Sequence, residues 1–151
     1  MEKAYFPLFV DLSDKRIVAV GGGRIAARRI QTLLSFAEDI TVVAPGLDPQ
    51  LEALAEAGRI RVIRRPFADT DLDGAAIVLA ATDSREVNAR VCALGKERGI
   101  LVNVIDDPAA CDFFFPGVVK DGSVVIGVTA SGTDHKKARA VTQAIRELFK
   151  K

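Results

Sequence analysis

The sequence predicts an α/β domain with a doubly wound parallel sheet, followed by an antiparallel hairpin and a last helix. Two observations carry this prediction. Short apolar runs alternate with segments in which apolar residues recur every three or four positions, as strands and helices do in α/β proteins. After Pro108 this alternation stops, and a turn dipeptide separates two apolar runs. Alternating strands and helices require right-handed crossovers, which give a parallel sheet.

The first predicted strand and helix are joined by a glycine-rich turn. Residues 16–20 contain a continuous apolar run, typical of a strand buried on both faces, and the run stops at residues 21–23. From Arg24 onwards the period changes to that of a helix. The apolar residues of its buried face are Ala26, Ile30, Leu33, Leu34 and Ala37.

Four further strands complete the predicted parallel sheet. The elements follow in the order strand 40–44, a helix that starts at Pro49 and ends before Gly58, strand 60–63, strand 76–81, helix 85–98 and strand 100–105. An acidic loop, residues 69–74, precedes the fourth strand, and Asp83 or Ser84 can cap the helix that follows it. We therefore assign residues 1–112 to one α/β domain.

The last part of the chain has a different pattern. Residues 113–119 and 123–129 flank Asp121-Gly122, which is a strong hairpin signal. Thr133 or Asp134 can cap a last helix. The apolar stripe predicted for this helix comprises Ala138, Val141, Ile145 and Leu148. Residues 113–151 are therefore predicted to form a separate hairpin and helix element.

Composition excludes several functional classes. The 21 basic and 20 acidic side chains nearly cancel, so no global field would attract nucleic acid. The apolar runs are far shorter than the roughly 18 residues of a membrane span, and the N-terminus lacks a signal-peptide pattern. Cys92 and Cys111 are isolated, which predicts reduced thiols and no metal site. We expect a cytoplasmic protein that binds neither nucleic acid nor membrane.

The glycine turn carries the chemical prediction. Gly21, Gly23 and Ala26 form the pattern G-x-G-x-x-A between a strand and a helix, as in Rossmann-like dinucleotide-binding domains. Gly21 permits a sharp turn, Gly23 lets backbone N–H groups approach a pyrophosphate, and Ala26 allows the helix to pack closely on the sheet. An ordinary strand-to-helix loop is the alternative. About 20 residues further on, residues 43–46 lack the acid that binds the ribose of NAD, so NAD and NADP stay open.

Several ordered motifs resemble those of one known family. They are Phe6-Pro-Leu-Phe9, Val20-Gly-Gly-Gly-Arg-Ile-Ala-Ala-Arg-Arg29, Ile40-Thr-Val-Val-Ala-Pro45, Ala80-Ala-Thr-Asp83, Val87-Asn88, Asn103-Val-Ile-Asp106 and Cys111-Asp-Phe-Phe-Phe-Pro116. Together they cover nearly the whole chain. On these residues the chain resembles the precorrin-2 dehydrogenases, which also occur as the N-terminal module of siroheme synthase.

The resemblance implies that precorrin-2, a tetrapyrrole, is oxidised to sirohydrochlorin with NAD as hydride acceptor, and that some members then insert ferrous iron. It also implies a catalytic role for Asp106, which follows the fifth strand where doubly wound sheets bind ligands. A carboxylate there can accept the proton lost with the hydride. The alternative is a loop carboxylate that caps Asp107-Pro108. The resemblance further implies a homodimer formed through the hairpin and last helix.

The turn pattern and the resemblance together predict a set of contacts. The predicted cofactor-binding residues are Gly21, Gly22, Gly23, Arg24, Ile25, Ala44, Pro45, Gly46, Thr82 and Asp83. Asn103 and Arg28 are the predicted substrate contacts. Asn103 is equally well explained as a polar strand-end residue with satisfied hydrogen bonds, Arg28 as part of a solvated basic face, and Asp83 as a helix cap.

The chain departs from the family pattern at residues 130–135. The family commonly has Ser-Gly-Gly-(Thr or Lys)-Ser-Pro, whereas this chain has Ala130-Ser131-Gly132-Thr133-Asp134-His135, and it stops before a further helical region of longer members. These differences motivate a rival hypothesis, a non-catalytic module that senses NAD or NADH and acts on a partner. A protein that only inserts iron is a third hypothesis.

Overall fold

The computed structural model describes residues 3–150 and contains the predicted α/β arrangement. The strands are β1 (Arg16–Val20), β2 (Asp39–Val43), β3 (Arg61–Ile63), β4 (Ala75–Ala80), β5 (Leu101–Val104), β6 (Gly117–Asp121) and β7 (Val124–Val128). The helices are α1 (Arg24–Leu33), α2 (Pro49–Glu56), α3 (Arg85–Glu97) and α4 (His135–Leu148), and short 3₁₀ helices span Asp69–Leu72 and Pro108–Ala110. Within the described part of the chain, no helix is long and apolar enough to cross a membrane.

The five strands β1 to β5 form one parallel sheet in the order β3-β2-β1-β4-β5. In both β1 and β2 the last four residues are consecutively buried. Because successive side chains of a strand point to opposite faces, this burial shows that both faces of the sheet are covered. β1 pairs with β2 on one side and β4 on the other, so the strand order reverses at β1. The predicted doubly wound sheet is confirmed.

The chain divides into two compact units. The first, residues 10–113, holds the sheet, its three helices and a core that includes Val18, Val78 and Val102, all fully buried. The second, residues 3–9 and 114–150, holds the antiparallel pair β6–β7 and α4, and we call it the hairpin–helix unit.

Several local predictions are corrected by the structure. α1 ends at Leu33, so Leu34 forms its C-cap and Ala37 is buried in the following loop rather than on the helix. The acidic loop 69–74 contains a 3₁₀ helix, in which the Asp71 carboxylate accepts the Ala68 N–H at 2.8 Å. The hairpin strands are shorter than predicted, since β6 begins at Gly117.

The apolar stripe predicted for α4 is not buried within its own unit. Val141 and Leu148 are exposed, and the buried residue of this helix is Thr142. Thr142 lies over Gly117, where an added Cβ would come within 2.3 Å of the threonine Oγ1. The Thr142 hydroxyl donates to Ala138 O at 2.7 Å, which satisfies it in this position. A small polar residue is therefore buried because the glycine opposite leaves room for it.

Candidate dinucleotide site

The glycine turn between β1 and α1 has the sharp geometry predicted for it. Gly21 has φ +114°, a conformation that side-chain-bearing residues rarely adopt, and its N–H donates to Val43 O at 2.9 Å. A Cβ at Gly21 would lie 2.2 Å from Ala81 O, a backbone atom that cannot rotate away. The turn thus joins the carboxyl ends of β2, β1 and β4 at the point where the strand order reverses, which is where doubly wound sheets bind ligands.

Gly22 is required for a different reason. A Cβ on this residue would lie 2.5 Å from Gly46 O and 2.7 Å from Leu47 Cδ2, and the Asp48 N–H donates to Gly22 O at 2.7 Å. The loop after β2 is therefore packed directly on the turn. In the pattern G-x-G-x-x-A, any residue is allowed at the position of Gly22, so the pattern does not predict this packing. The third glycine in the run was the available signal.

Gly23 and the first turn of α1 leave space for a ligand. A Cβ on Gly23 would have no neighbour within 4 Å, and Gly23 caps α1 without any side-chain hydrogen bond to its N–H groups. The first N–H groups of a helix have no partner inside the helix and carry partial positive charge, so they suit a phosphate. Arg24 and Ile25 are exposed beside them, whereas Ala26 is fully buried against the sheet. These residues fit a dinucleotide pyrophosphate.

The loop after β2 holds three of the predicted cofactor-binding residues. Ala44 is buried and its N–H donates to Ile63 O at 3.1 Å, so its side chain lies in the protein interior. Pro45 and Gly46 are exposed. A contact between this loop and a cofactor would therefore involve residues 45 and 46 or the residues that follow them.

A buried asparagine fixes the loop after β4. Asn88 in α3 accepts hydrogen bonds from the Thr82 N–H at 3.0 Å and the Thr82 hydroxyl at 2.7 Å, and its amide donates to Thr82 O at 3.0 Å. This network holds the backbone of residues 81 and 82 against Gly21. Asp83 is exposed, and Ser84 caps α3 by accepting the Val87 N–H at 3.2 Å, so the capping alternative for Asp83 is wrong. Asn88 was not among the predicted site residues, although the motif Val87-Asn88 contained it.

Asn103 is almost completely buried in β5. The Arg29 guanidinium donates to its amide oxygen, and its own amide donates to Phe113 O at 2.9 Å. Burial lowers the pKa of Arg29 from its ordinary value. Both polar atoms of Asn103 are thus engaged within the protein, which favours the explanation of a satisfied strand-end residue. Arg28, by contrast, is exposed.

The free edge of β5 is covered by the segment that follows it. The Val102 N–H donates to Asp112 Oδ2 at 2.8 Å and the Asp112 N–H donates to Val102 O at 2.8 Å. The Val104 N–H donates to Cys111 Sγ at 3.1 Å, and the thiol lies 3.2 Å from Val104 O. Burial would raise the pKa of Asp112, but the hydrogen bonds from Lys96 and Val102 outweigh it and the pKa is lowered. The motif Cys111-Asp112 therefore satisfies an otherwise unpaired strand edge.

Asp106 lies in the loop that this segment closes. The residue follows the carboxyl end of β5, as predicted, and it is exposed. Its carboxylate forms no hydrogen bond or ion pair with any residue between 3 and 150, so the side chain does not cap Asp107-Pro108. The Asp106 carboxylate is therefore accessible to a ligand.

No metal centre is formed by the described residues. Between residues 3 and 150, no group of three or more His, Cys, Asp or Glu side chains is placed to hold a metal ion. Cys92 and Cys111 are free thiols, and burial raises the pKa of Cys92. His135 is exposed as the first residue of α4, which Asp134 caps by accepting the Lys137 N–H at 2.9 Å.

Known proteins share this arrangement. A family model described as "putative NAD(P)-binding" matches residues 8–117. The chain belongs to that family. A solved structure of SirC, a precorrin-2 dehydrogenase, superposes with a TM-score of 0.83 at 24% identity, covering 95% of this chain and 70% of that one, which confirms the fold.

Curated relatives of this NAD(P)-binding domain include siroheme synthases. Siroheme synthase 1 of Serratia proteamaculans (strain 568) is 37% identical over 145 residues, 96% of this chain and 30% of that protein. Siroheme synthase of Pseudomonas entomophila (strain L48) is 41% identical over 137 residues, 91% of this chain and 30% of that protein. The probable multifunctional siroheme biosynthesis protein HemA of Ruminiclostridium josui is 38% identical over 144 residues, 95% of this chain and 28% of that protein. The chain thus spans about 30% of the length of these relatives.

The predicted resemblance to siroheme synthases and the predicted class of cofactor are therefore confirmed for this NAD(P)-binding domain. The individual contacts to cofactor and substrate stay predictions. Gly23 and Asp106 are exposed at the carboxyl edge of the sheet, and Thr82 is half-buried there. Gly21, Ala44 and Asn103 are buried.

Proposed function

We propose that this domain is an NAD-dependent precorrin-2 dehydrogenase of siroheme biosynthesis. The observation that carries the proposal is the open helix N-terminus at Gly23, in a chain whose relatives are named siroheme synthases and whose fold matches a precorrin-2 dehydrogenase. In this reaction, precorrin-2 loses a hydride and a proton and becomes sirohydrochlorin. The nicotinamide of NAD supplies the hydride acceptor.

Each part of the site has a role in this proposal. The N–H groups at the start of α1 and the Arg24 guanidinium bind the pyrophosphate. The loop at Thr82, which Asn88 holds against Gly21, lies beside the bound cofactor. Asp106 acts as the general base that accepts the proton, because its carboxylate is exposed and unengaged at the same edge of the sheet. Arg28 is proposed to pair with a carboxylate of the substrate, since its guanidinium is exposed.

We also propose that the chain acts as a homodimer through the hairpin–helix unit. This unit exposes large apolar side chains on its N-terminal segment, on β7 and on α4. Exposed apolar surface of this extent is typical of a protein interface.

Insertion of ferrous iron into the product is a further reaction proposed for this site, and Asp106 would then accept pyrrole protons.

An anaerobic assay with precorrin-2 and NAD tests the proposed reaction. We expect NADH to form, and Asp106→Asn to lower the rate by about 10² to 10⁴-fold while NAD binding is retained. Asp107→Asn is the matched control, since Asp107 is an adjacent exposed carboxylate whose side chain caps nothing. We expect this variant to keep its activity.

Three outcomes would change the proposal. An unchanged rate in Asp106→Asn would remove this residue from the mechanism. NAD binding without any turnover of precorrin-2 would favour the rival hypothesis of a sensing module. Iron insertion into sirohydrochlorin that needs no NAD, with no dehydrogenation, would favour a protein that only inserts iron.

A further inference from the structure

The loop between β2 and α2 points to the form of dinucleotide that this site prefers. We propose that Asp48 takes the place of the ribose-binding acid that the chain lacks at the end of β2, and that it gives the domain a preference for NAD over NADP. The inference rests on the dinucleotide site of the proposed function but not on the dehydrogenation step.

The usual position of the acid is filled by other residues. In doubly wound domains, an acid near the carboxyl end of the second strand binds the adenosine ribose. Here β2 ends at Val43, Ala44 is buried, and Pro45 and Gly46 have no polar side chain. Leu47 is apolar, so Asp48 is the first residue after β2 whose side chain can accept a hydrogen bond.

The backbone brings Asp48 to the glycine turn. Its N–H donates to Gly22 O at 2.7 Å, and the preceding residues Gly46 and Leu47 pack against Gly22 so closely that a Cβ there would be excluded. The adenosine half of a dinucleotide whose pyrophosphate lies at the start of α1 extends toward the end of β2. Asp48 is therefore anchored next to the region that the ribose would occupy.

The Asp48 carboxylate is held in place and keeps one oxygen available. Oδ1 accepts the Gln50 N–H at 2.9 Å and so caps α2. Among the described residues, nothing donates a hydrogen bond to Oδ2, and the residue is only half-buried. A ribose 2′-hydroxyl can donate to this oxygen, whereas a 2′-phosphate would place like charges together, which is strongly unfavourable.

The nearby arginines are engaged with other carboxylates. Arg64 and Arg65 follow β3, the neighbour of β2 in the sheet. Arg64 forms two hydrogen bonds with Glu52, both of 2.7 Å, and Arg65 forms two with Asp71, of 2.9 and 2.7 Å. Guanidinium groups in such bidentate pairs are poorly placed to bind a 2′-phosphate as well. Arg24 is exposed at the start of α1, where the proposed function has its guanidinium bind the pyrophosphate.

Equilibrium binding of NAD, NADP and their reduced forms tests the inference without any catalytic assay. We expect the wild-type chain to bind NAD at least about tenfold more tightly than NADP. Asp48→Asn and Asp48→Ser keep an acceptor that can cap α2 but remove the charge, so both should lower the NAD-to-NADP preference by about tenfold. Thermal unfolding midpoints close to that of the wild type would show that the fold is kept.

Asp134→Ser is the matched control, because Asp134 also caps a helix through one carboxylate oxygen but lies in the hairpin–helix unit. Its NAD-to-NADP preference should equal that of the wild type. Equal or tighter binding of NADP by the wild type would overturn the inference, as would an unchanged preference in both Asp48 variants. Failure to bind any dinucleotide would refute the proposed site itself, and would be distinguishable from these results.

Discussion

The two compact units of this chain differ in where their apolar side chains lie. Among the described residues, every buried hydrophobic side chain belongs to residues 10–113, with the exception of Val119 in β6. The hairpin–helix unit instead contains most of the large hydrophobic side chains that are exposed. In this unit they are Tyr5, Phe6, Leu8, Phe9, Val124, Val141, Leu148 and Phe149.

Residues 10–113 therefore have a large apolar core of their own, and the hairpin–helix unit does not. A sheet covered on both faces buries apolar residues from every strand, whereas a two-stranded hairpin with one helix has few positions that are enclosed on all sides. Within the hairpin–helix unit, specific contacts replace a large core, such as the edge-to-face pair of Tyr5 and Phe114 with ring centres 4.6 Å apart. The proposed homodimer would cover the apolar residues that this unit exposes.

A leucine-to-alanine substitution in one helix of each unit should give the largest difference in the free energy of unfolding between the two units. Leu51→Ala removes a fully buried side chain of α2 and should lower the free energy of unfolding by about 2 to 5 kcal/mol. Leu148→Ala removes a side chain of α4 that is 69% exposed and should change it by less than about 0.5 kcal/mol in dilute, monomeric protein.

Urea unfolding of both leucine variants measures these changes, and sedimentation equilibrium measures self-association. We expect Leu148→Ala to weaken the dimer while leaving the dilute chain stable. A cost in dilute protein as large as that of Leu51→Ala would contradict the comparison of the two units.

A glycine-to-alanine substitution in each unit should give the next largest difference in stability. Gly21→Ala forces a side chain into a φ of +114° and against the backbone at Ala81, and should cost about 3 kcal/mol. In Gly117→Ala, the nearest atoms to the new Cβ belong to the Thr142 side chain, and this substitution should cost about 1 to 2 kcal/mol. The double variant Gly117→Ala with Thr142→Ala should recover part of that stability in chemical denaturation. No recovery would mean that the Gly117 backbone, and not Thr142, limits the packing.

Removing the acidic partner of one ion pair in each unit should give the smallest difference in stability. The hydrogen bond from Arg65 lowers the pKa of Asp71, whose side chain is 3% exposed. The ion pair between Glu147 in α4 and Lys150 just after the helix is well exposed. We expect Asp71→Asn to cost about 2 kcal/mol near neutral pH and Glu147→Gln less than about 0.5 kcal/mol.

The pH dependence of unfolding sharpens this prediction. Because the folded-state pKa of Asp71 is below its unfolded value, the stabilisation is present above about pH 4 and is lost as the pH falls through the folded-state pKa. The difference between wild type and Asp71→Asn should therefore shrink in acid. A difference that is constant between neutral pH and strong acid would exclude the ion pair as its cause.

Much of the fold and part of the site could be predicted from residue patterns. The period of apolar residues located all five parallel strands and their helices, and the glycine turn indicated a ligand site, because backbone conformation and burial depend on local sequence in these places. Whether the stripe on α4 is buried could not be predicted in this way. Its period matches a buried face, but whether a face is buried depends on what covers it, and Thr142 is buried only because Gly117 lies opposite.

The sequence by itself determined the strands of the parallel sheet, the positions of the glycines and the presence of an acid after β5. Only the tertiary structure decided which polar residues are engaged, because hydrogen-bond partners such as Arg29 for Asn103 and Thr82 for Asn88 are brought together by the packing of helices on the sheet. The same is true of Asp48, whose backbone contact with Gly22 joins two loops that are separated along the chain. Local patterns specify what each segment can do, and packing selects which of these possibilities are realised.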